Sequence, residues 1–162
     1  MKKAPTFLLL AVIIVVRTAC GGNSPRVVDL KTSDGTVLKG TYFAAAKPGP
    51  GVLLYHQSNR TRKSWDDVAA QLAAAGINTL TVDSSSHGES GGKYDNWRKQ
   101  SWPDDLDSAF EYLVSQPGLI RDVIGVGGAG ALGLETSGET PRRHPVAWQS
   151  TDIMSGETCD PG

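Results

Sequence analysis

The stretch Val123-Ile124-Gly125-Val126-Gly127-Gly128-Ala129-Gly130-Ala131-Leu132 decides how this chain is read. Val123–Val126 is a short apolar strand, and it runs directly into a glycine-rich turn. A strand that ends on glycines suits a sharp strand-to-helix turn, because glycine adopts backbone conformations that a Cβ disfavours. Two upstream segments have the same strand character. Gly51–Tyr55 is a continuous apolar run, as in a strand buried on both faces of a parallel sheet, and Asn78–Val82 is a further strand ending at Asp83.

Helical patterns lie between these strands. The first starts at Ser64, an N-cap candidate with Asp67 three residues on as in a capping box, and Gly76 stops it. Trp65, Val68, Ala69, Leu72 and Ala73 share its apolar face. The second runs from Pro103 to Gln116, with Asp104 and Asp105 in its first turn, where acids favour the helix dipole. Leu106, Ala109, Phe110 and Leu113 make its buried stripe, and Pro117-Gly118 ends it. The resulting βαβαβ order implies a mostly parallel sheet with helices on both faces. Before it, Arg26–Thr32 and Val37–Phe43 alternate in part around Ser33-Asp34-Gly35, the signature of an antiparallel hairpin. After Gly133 the pattern weakens. A helix expected over Leu134–Thr140 is interrupted by Ser137-Gly138 and Pro141, and a last strand over Val146–Met154 carries Gln149–Asp152 in its middle.

Four pieces, in this order and spacing, resemble one family. Tyr55-His56-Gln57-Ser58-Asn59-Arg60 is similar to the oxyanion-loop segment of α/β-hydrolases, nearest the dienelactone-hydrolase-like esterases. Asp83-Ser84-Ser85-Ser86-His87-Gly88-Glu89-Ser90 resembles that superfamily's Asp-x-Arg-Gly-His-Gly-x-Ser loop, with Ser85 in place of Arg and Ser86 in place of Gly. Asp104-Asp105-Leu106-Asp107 resembles the start of the helix before the nucleophile strand, and Arg121–Val126 the strand itself. The resemblance covers roughly residues 27–133. It implies an α/β-hydrolase-type fold, C-terminally truncated, and an ancestral hydrolysis of a carboxylic ester or related acyl bond in a small-molecule substrate, without a cofactor.

The resemblance also assigns positions. The family's nucleophile, Ser or Cys, sits on a strained turn flanked by small residues. Matching Gly128 to the leading glycine puts Gly130 at the nucleophile; the trailing glycine becomes Leu132 or moves to Gly133. Glycine has no side chain with which to form an acyl-enzyme. The backbone N–H groups of Gln57 and Ala131 would form the oxyanion hole. The triad acid and histidine should follow the nucleophile, yet after Gly130 the sequence holds one histidine, His144, at the end of the helix after the turn and too early for the role. His56 reads as a shaper of the oxyanion loop and His87 as a structural loop residue. Ser84, Ser85, Ser86 and Ser90 have no base placed for them. Asp152, Glu157 and Asp160 read as solvated tail residues, and Trp65, Trp97 and Trp102 as packing. The expectation is a catalytically impaired member, a fragment or the product of a damaged reading frame. A lipid-anchored binding protein using the cleft above the strand ends is the alternative. A third reading takes Gly125-Val126-Gly127-Gly128-Ala129-Gly130 as a G-x-G-x-x-G fingerprint for a nucleotide.

The N-terminus carries a different message. Lys2 and Lys3 precede an apolar run, Phe7–Val16, then Arg17-Thr18-Ala19-Cys20. Ten apolar residues span about 15 Å of helix, half of a bilayer core. Residues 1–20 therefore read as an export signal. Ala19-Cys20-Gly21-Gly22 resembles a lipoprotein cleavage site at which Cys20 is lipidated and holds the chain to a membrane, although Arg17 stands where such sites hold an aliphatic residue. A cleaved soluble signal and an uncleaved short anchor remain as alternatives. Residues 21–25 form a linker and 26–162 a partial domain. The second cysteine, Cys159, reads as a tail residue or as a disulfide partner of Cys20. With Lys2, Lys3 and Arg17 removed, the net charge goes from −1 to −4, which argues against nucleic-acid binding. No Cys/His cluster has metal-ligand spacing.

Overall fold

The computed structural model describes residues 24–93 and 102–149. Six strands form one sheet in the order β1-β2-β4-β3-β5-β6. β1 (Arg26–Lys31) and β2 (Val37–Phe43) are the antiparallel hairpin that the Ser33-Asp34-Gly35 turn predicts. The turn is closed by Asp34, whose carboxylate accepts from the Thr32 hydroxyl and the Thr36 amide. β2 also runs antiparallel to β4 (Asn78–Val82), whereas β4, β3 (Gly49–Tyr55), β5 (Leu119–Gly128) and β6 (Trp148–Gln149) are mutually parallel.

Within β3, Gly51–Tyr55 reads as a continuous apolar run because both faces of the strand are covered. Leu53, Leu80, Val82 and Val126 are fully buried. α2 (Trp102–Ser115) lays the expected stripe on this sheet: Leu106, Ala109, Phe110 and Leu113 all enter the core. Burying each of its Leu and Phe side chains is worth about 1.5–3 kcal/mol against exposure, so this stripe is a principal tie between the helix layer and the sheet.

α1 departs from expectation at its start. Arg62–Trp65 is a 3-10 turn, and the α-helix begins at Asp66 and ends at Ala74. Ser64 is not its N-cap; the Ser64 hydroxyl donates back to the Thr61 carbonyl. The cause lies outside local propensity. Arg62 is pulled inward onto Asp83, which tightens the chain just before the helix. Of the predicted apolar face only Ala69 is fully buried, and Val68 is exposed. The C-terminus follows the sequence signal: Gly76 has φ +93°, its N–H donates to the Ala73 carbonyl, and Ile77 N–H donates to Leu72. This paired pattern is a Schellman stop.

α3 is a second departure. It is one continuous helix, Gly130–Arg143, through Ser137-Gly138 and with Pro141 inside it. Pro141 lies in the last turn, where loss of one N–H costs least, and tertiary contacts hold the end. Arg143 makes a two-pronged contact with Asp107 of α2, and His144 Nε2 lies 2.7 Å from the same carboxylate while its ring stacks on Phe110 at 4.1 Å. The strand expected over Val146–Met154 is described only as Trp148–Gln149, with Gly125 paired to Trp148 and Val126 to Gln149. Val146 and Ala147 precede that strand without joining it, and residues 150–154, Trp97, Cys20 and Cys159 lie outside the described residues. No helix among the described residues is long and apolar enough to cross a membrane.

Candidate functional site

The parallel register brings three chain segments to one end of the sheet. Tyr55 pairs with Val82 on one side and with Gly128 on the other. The residues that follow these strand ends, Gln57, Asp83 to Ser90 and Gly130, therefore meet above the sheet, where ligands bind in open α/β sheets.

The glycines of the decisive stretch have separate tasks. Gly128 has its closest neighbour in Gly133: a Cβ on Gly128 would stand 2.1 Å from the Gly133 carbonyl oxygen. Gly133, not Leu132, thus provides the close approach between strand end and helix. Gly130 opens α3 with φ +64°, a left-handed conformation that side chains rarely adopt. A strained strand-to-helix turn of this kind is where α/β-hydrolases, which the sequence resembles, seat their nucleophile. A Cβ at Gly130 would lie 2.4 Å from Gln57 Cγ, so the Gln57 side chain fills the space that a nucleophile's would use. The backbone N–H of Ala131 lies in the first turn of α3, where helical N–H groups have no intrahelical acceptor. Gln57 and Ala131 thus flank the same point. Gly125, Gly127 and Gly128 lie within β5, paired to Val52, Leu54 and Tyr55. One residue, Ala129, separates β5 from α3, which leaves no loop to cradle a pyrophosphate and removes the support for the nucleotide fingerprint.

All three histidines are engaged in structure. His56 is fully buried, and its Nε2 accepts from Ser84 N–H at 3.1 Å. Its proton therefore resides on Nδ1, which donates to the Gln57 carbonyl at 2.8 Å. Burial holds its pKa below the ordinary value, favouring this neutral form. His56 thus ties the segment after β3 to the loop after β4. His87 packs 5.2 Å from it, ring centre to ring centre, with Nδ1 2.9 Å from the Ser85 carbonyl. His144 belongs to the α2–α3 contact. Its placement gives it no part at the turn.

Two buried acids organise the loop after β4, and neither was singled out for this in the sequence. Asp83 is fully buried against the equally buried Arg62, forming a direct ion pair while also accepting from Arg62 N–H at 2.6 Å and Glu89 N–H at 3.0 Å. Arg62 continues to Thr41 at 3.1 Å and to Glu89 at 2.6 Å. Lys63 and Arg62 together hold the Glu89 carboxyl down at about 2. Gly88 is required here, since a Cβ would meet the Asp83 carboxylate at 2.3 Å. Asp105 accepts from Ser85 N–H at 2.7 Å and from the Ser85 hydroxyl at 2.6 Å. Burial pushes its carboxyl up to about 6. Ser85 stands where the family motif has Arg, so the hydroxyl caps this acid without neutralising it. Ser86, in place of the motif's Gly, is held at φ +63°. Among the described residues, no group of three or more His, Cys, Asp or Glu is placed to hold a metal ion.

No known family's sequence profile matches the chain, and no curated protein sequence matches it either. Solved structures do. The Pyrococcus furiosus esterase Pf2001 is 23% identical, with a TM-score of 0.67, over 80% of this chain and 48% of its own. The α/β-hydrolase GrgF from Penicillium sp. sh18 is 23% identical, with a TM-score of 0.68, over 77% and 44%. The dienelactone hydrolase-like promiscuous phosphotriesterase P91, from metagenomic libraries, is 22% identical, with a TM-score of 0.59, over 75% and 55%. The described residues therefore have the α/β-hydrolase fold, a mostly parallel sheet with flanking helices. The chain spans about half the length of these structures.

Proposed function

We propose that this chain is an α/β-hydrolase of esterase-like ancestry that is catalytically impaired, and that it is exported and anchored to a membrane through a lipidated Cys20. One observation carries the first part. The turn that should present a nucleophile has the right backbone, φ +64° at the head of α3, but holds Gly130, with Gln57 Cγ 2.4 Å from where a Cβ would stand. Nucleophilic acyl transfer needs an oxygen or sulfur there and a base to activate it. Each of the three histidines is engaged elsewhere in the described structure. What persists is a backbone frame able to receive a carbonyl or carboxylate oxygen at Gln57 and Ala131, so an ester-like small molecule is the ligand class this site would accommodate.

The test is turnover of p-nitrophenyl acetate by the purified full chain, with labelling by a fluorophosphonate as a second readout. Neither should exceed the rate of heat-denatured protein. A Gly130→Ser variant should also stay unlabelled, for want of a base. Stoichiometric labelling, or hydrolysis that co-purifies with the chain, overturns the reading. For the anchor, mass spectrometry of the membrane-associated chain should show acylation that disappears in Cys20→Ala; an acyl mass that persists in that variant refutes it.

A further inference from the structure

The end of the sheet opposite the Gly130 turn carries a cavity of about 600 Å³, lined by Ser24, Arg26, Tyr42, Lys47, Asn78 and Gly118 together with neighbouring residues. Its floor is built and rigid. The Tyr42 hydroxyl donates to the Asn78 side-chain carbonyl at 2.9 Å, the Ala45 amide does so at 3.1 Å, and the Arg26 guanidinium lies 5.3 Å from the Tyr42 ring centre. Its rim is cationic. Arg26 and Lys47 are exposed, and Arg121 lies at the same end of the sheet, in the irregular stretch between the β3–β5 pairs Gly49–Leu119 and Gly51–Ile124. Against these three cations this stretch sets one acid, Asp122, in a chain whose net charge without its first 20 residues is −4.

The position of this end in the chain gives the patch a meaning. Ser24, the first described residue, lines the cavity. Cys20 is four residues earlier, a reach of at most about 14 Å of extended chain. An acyl group on Cys20 would therefore hold this end of the domain, and not the Gly130 end, against the headgroup layer. Anionic lipids attract basic groups within a Debye length of the surface, and an acyl chain with a basic patch is the two-signal arrangement that gives stable anchoring.

We propose that the Arg26–Lys47–Arg121 end of the sheet is a membrane-facing surface that docks on anionic phospholipid headgroups and turns the Gly130 cleft away from the bilayer. The proposal rests on lipidation of Cys20. It is tested by amine footprinting of the acylated full chain on vesicles, with Lys47 as reporter and Lys63, which pairs with Glu89 in the loop network beyond β4 at the other end of the sheet, as internal control. On vesicles of phosphatidylglycerol and phosphatidylcholine, acetylation of Lys47 should slow at least fivefold relative to pure phosphatidylcholine, with Lys63 unchanged. The double variant Arg26→Glu/Arg121→Glu should abolish that protection, and Arg121→Glu alone, at an exposed strand position, should weaken it while leaving the circular-dichroism melt intact. Equal reactivity of Lys47 on the two vesicle types overturns the surface. So does protection produced by inorganic phosphate without vesicles, which would make the cavity an anion site. If the chain carries no acyl mass, the Cys20 reading fails and the surface with it; an acylated chain with unprotected Lys47 sinks the surface alone.

Discussion

Replacing Arg62 with methionine probes the network that holds the site's loops. Methionine approximates the aliphatic stem and removes the guanidinium. Arg62 and Asp83 are 1% and 0% exposed, so the Asp83 carboxylate would remain buried without a countercharge, keeping only the N–H groups of Arg62 and Glu89. Breaking a buried pair from one side costs about 3–5 kcal/mol. Against a typical domain stability of about 5–15 kcal/mol and a urea dependence of about 1–3 kcal/mol per molar, the midpoint should fall by at least about 1 M. The assay is urea unfolding followed by tryptophan fluorescence and circular dichroism. Lys63→Met is the control. Lys63 also pairs with Glu89, but both side chains are half-exposed or more, and its loss should fall within error of the measurement. The double variant Arg62→Met/Asp83→Asn should recover part of the loss, because it removes the stranded charge. A shift below about 0.3 M for Arg62→Met, or a double variant that costs the sum of its singles, would refute the buried-pair argument.

Other substitutions follow from the same geometry. Ser86→Gly should raise stability by about 0.5–1 kcal/mol in chemical denaturation, since it relieves a side chain held at φ +63°; a loss would mean that the Ser86 hydroxyl outweighs the strain. Gly128→Ala should cost about 3 kcal/mol or more, because its Cβ would meet backbone at 2.1 Å, whereas Gly138→Ala, with open space around it inside α3, should gain about 0.5–1 kcal/mol. Equal effects at the two glycines would undo the close-packing account. Asp105 gives a pH signature. Its folded carboxyl is raised from 3.8 to about 6, so the folded state keeps the proton longer than the unfolded chain. Its contribution to stability should be greatest below about pH 4, fall between about pH 4 and 6, and level off above, a change of roughly 3 kcal/mol. Asp105→Asn should flatten that interval, and an unchanged slope in the variant assigns the effect to another group.

The parts legible in the sequence are those set by short-range pattern. The hairpin, the apolar run of β3, the strand β4, the stripe of α2 and the Gly76 stop each follow from a few consecutive residues. So does the Gly130 turn, where small residues after an apolar strand leave little choice of backbone. The start of α1 was misread because Ser64 and Asp67 form a sound local cap that a distant contact, Arg62 with Asp83, overrides. The continuity of α3 was missed for a related reason. Gly138 and Pro141 disfavour a helix locally, while Asp107, 36 residues before Arg143, secures its end. Arg62 itself gave little signal: a basic residue in a polar loop is usually solvated, and only its alignment with Asp83, 21 residues later, buries it. In the sequence Asp105 is a dipole-favouring acid of a first turn; its inward partner Ser85 is invisible without the fold.

These long-range ties also explain why the frame persists at a turn without a nucleophile. The elements around Gly130 draw their stability from groups that do no chemistry. Gly128 seats on Gly133, His56 bridges Gln57 and Ser84, and Arg62 with Asp83 fixes the loop beyond β4. None of these contacts depends on a side chain at position 130. Glycine is moreover the residue best suited to φ +64°, where a Ser or Cys would impose backbone strain. The architecture of the turn and its catalytic competence are thus energetically separable. A side chain placed at Gly130 would have to displace Gln57 and take up the strain of φ +64°.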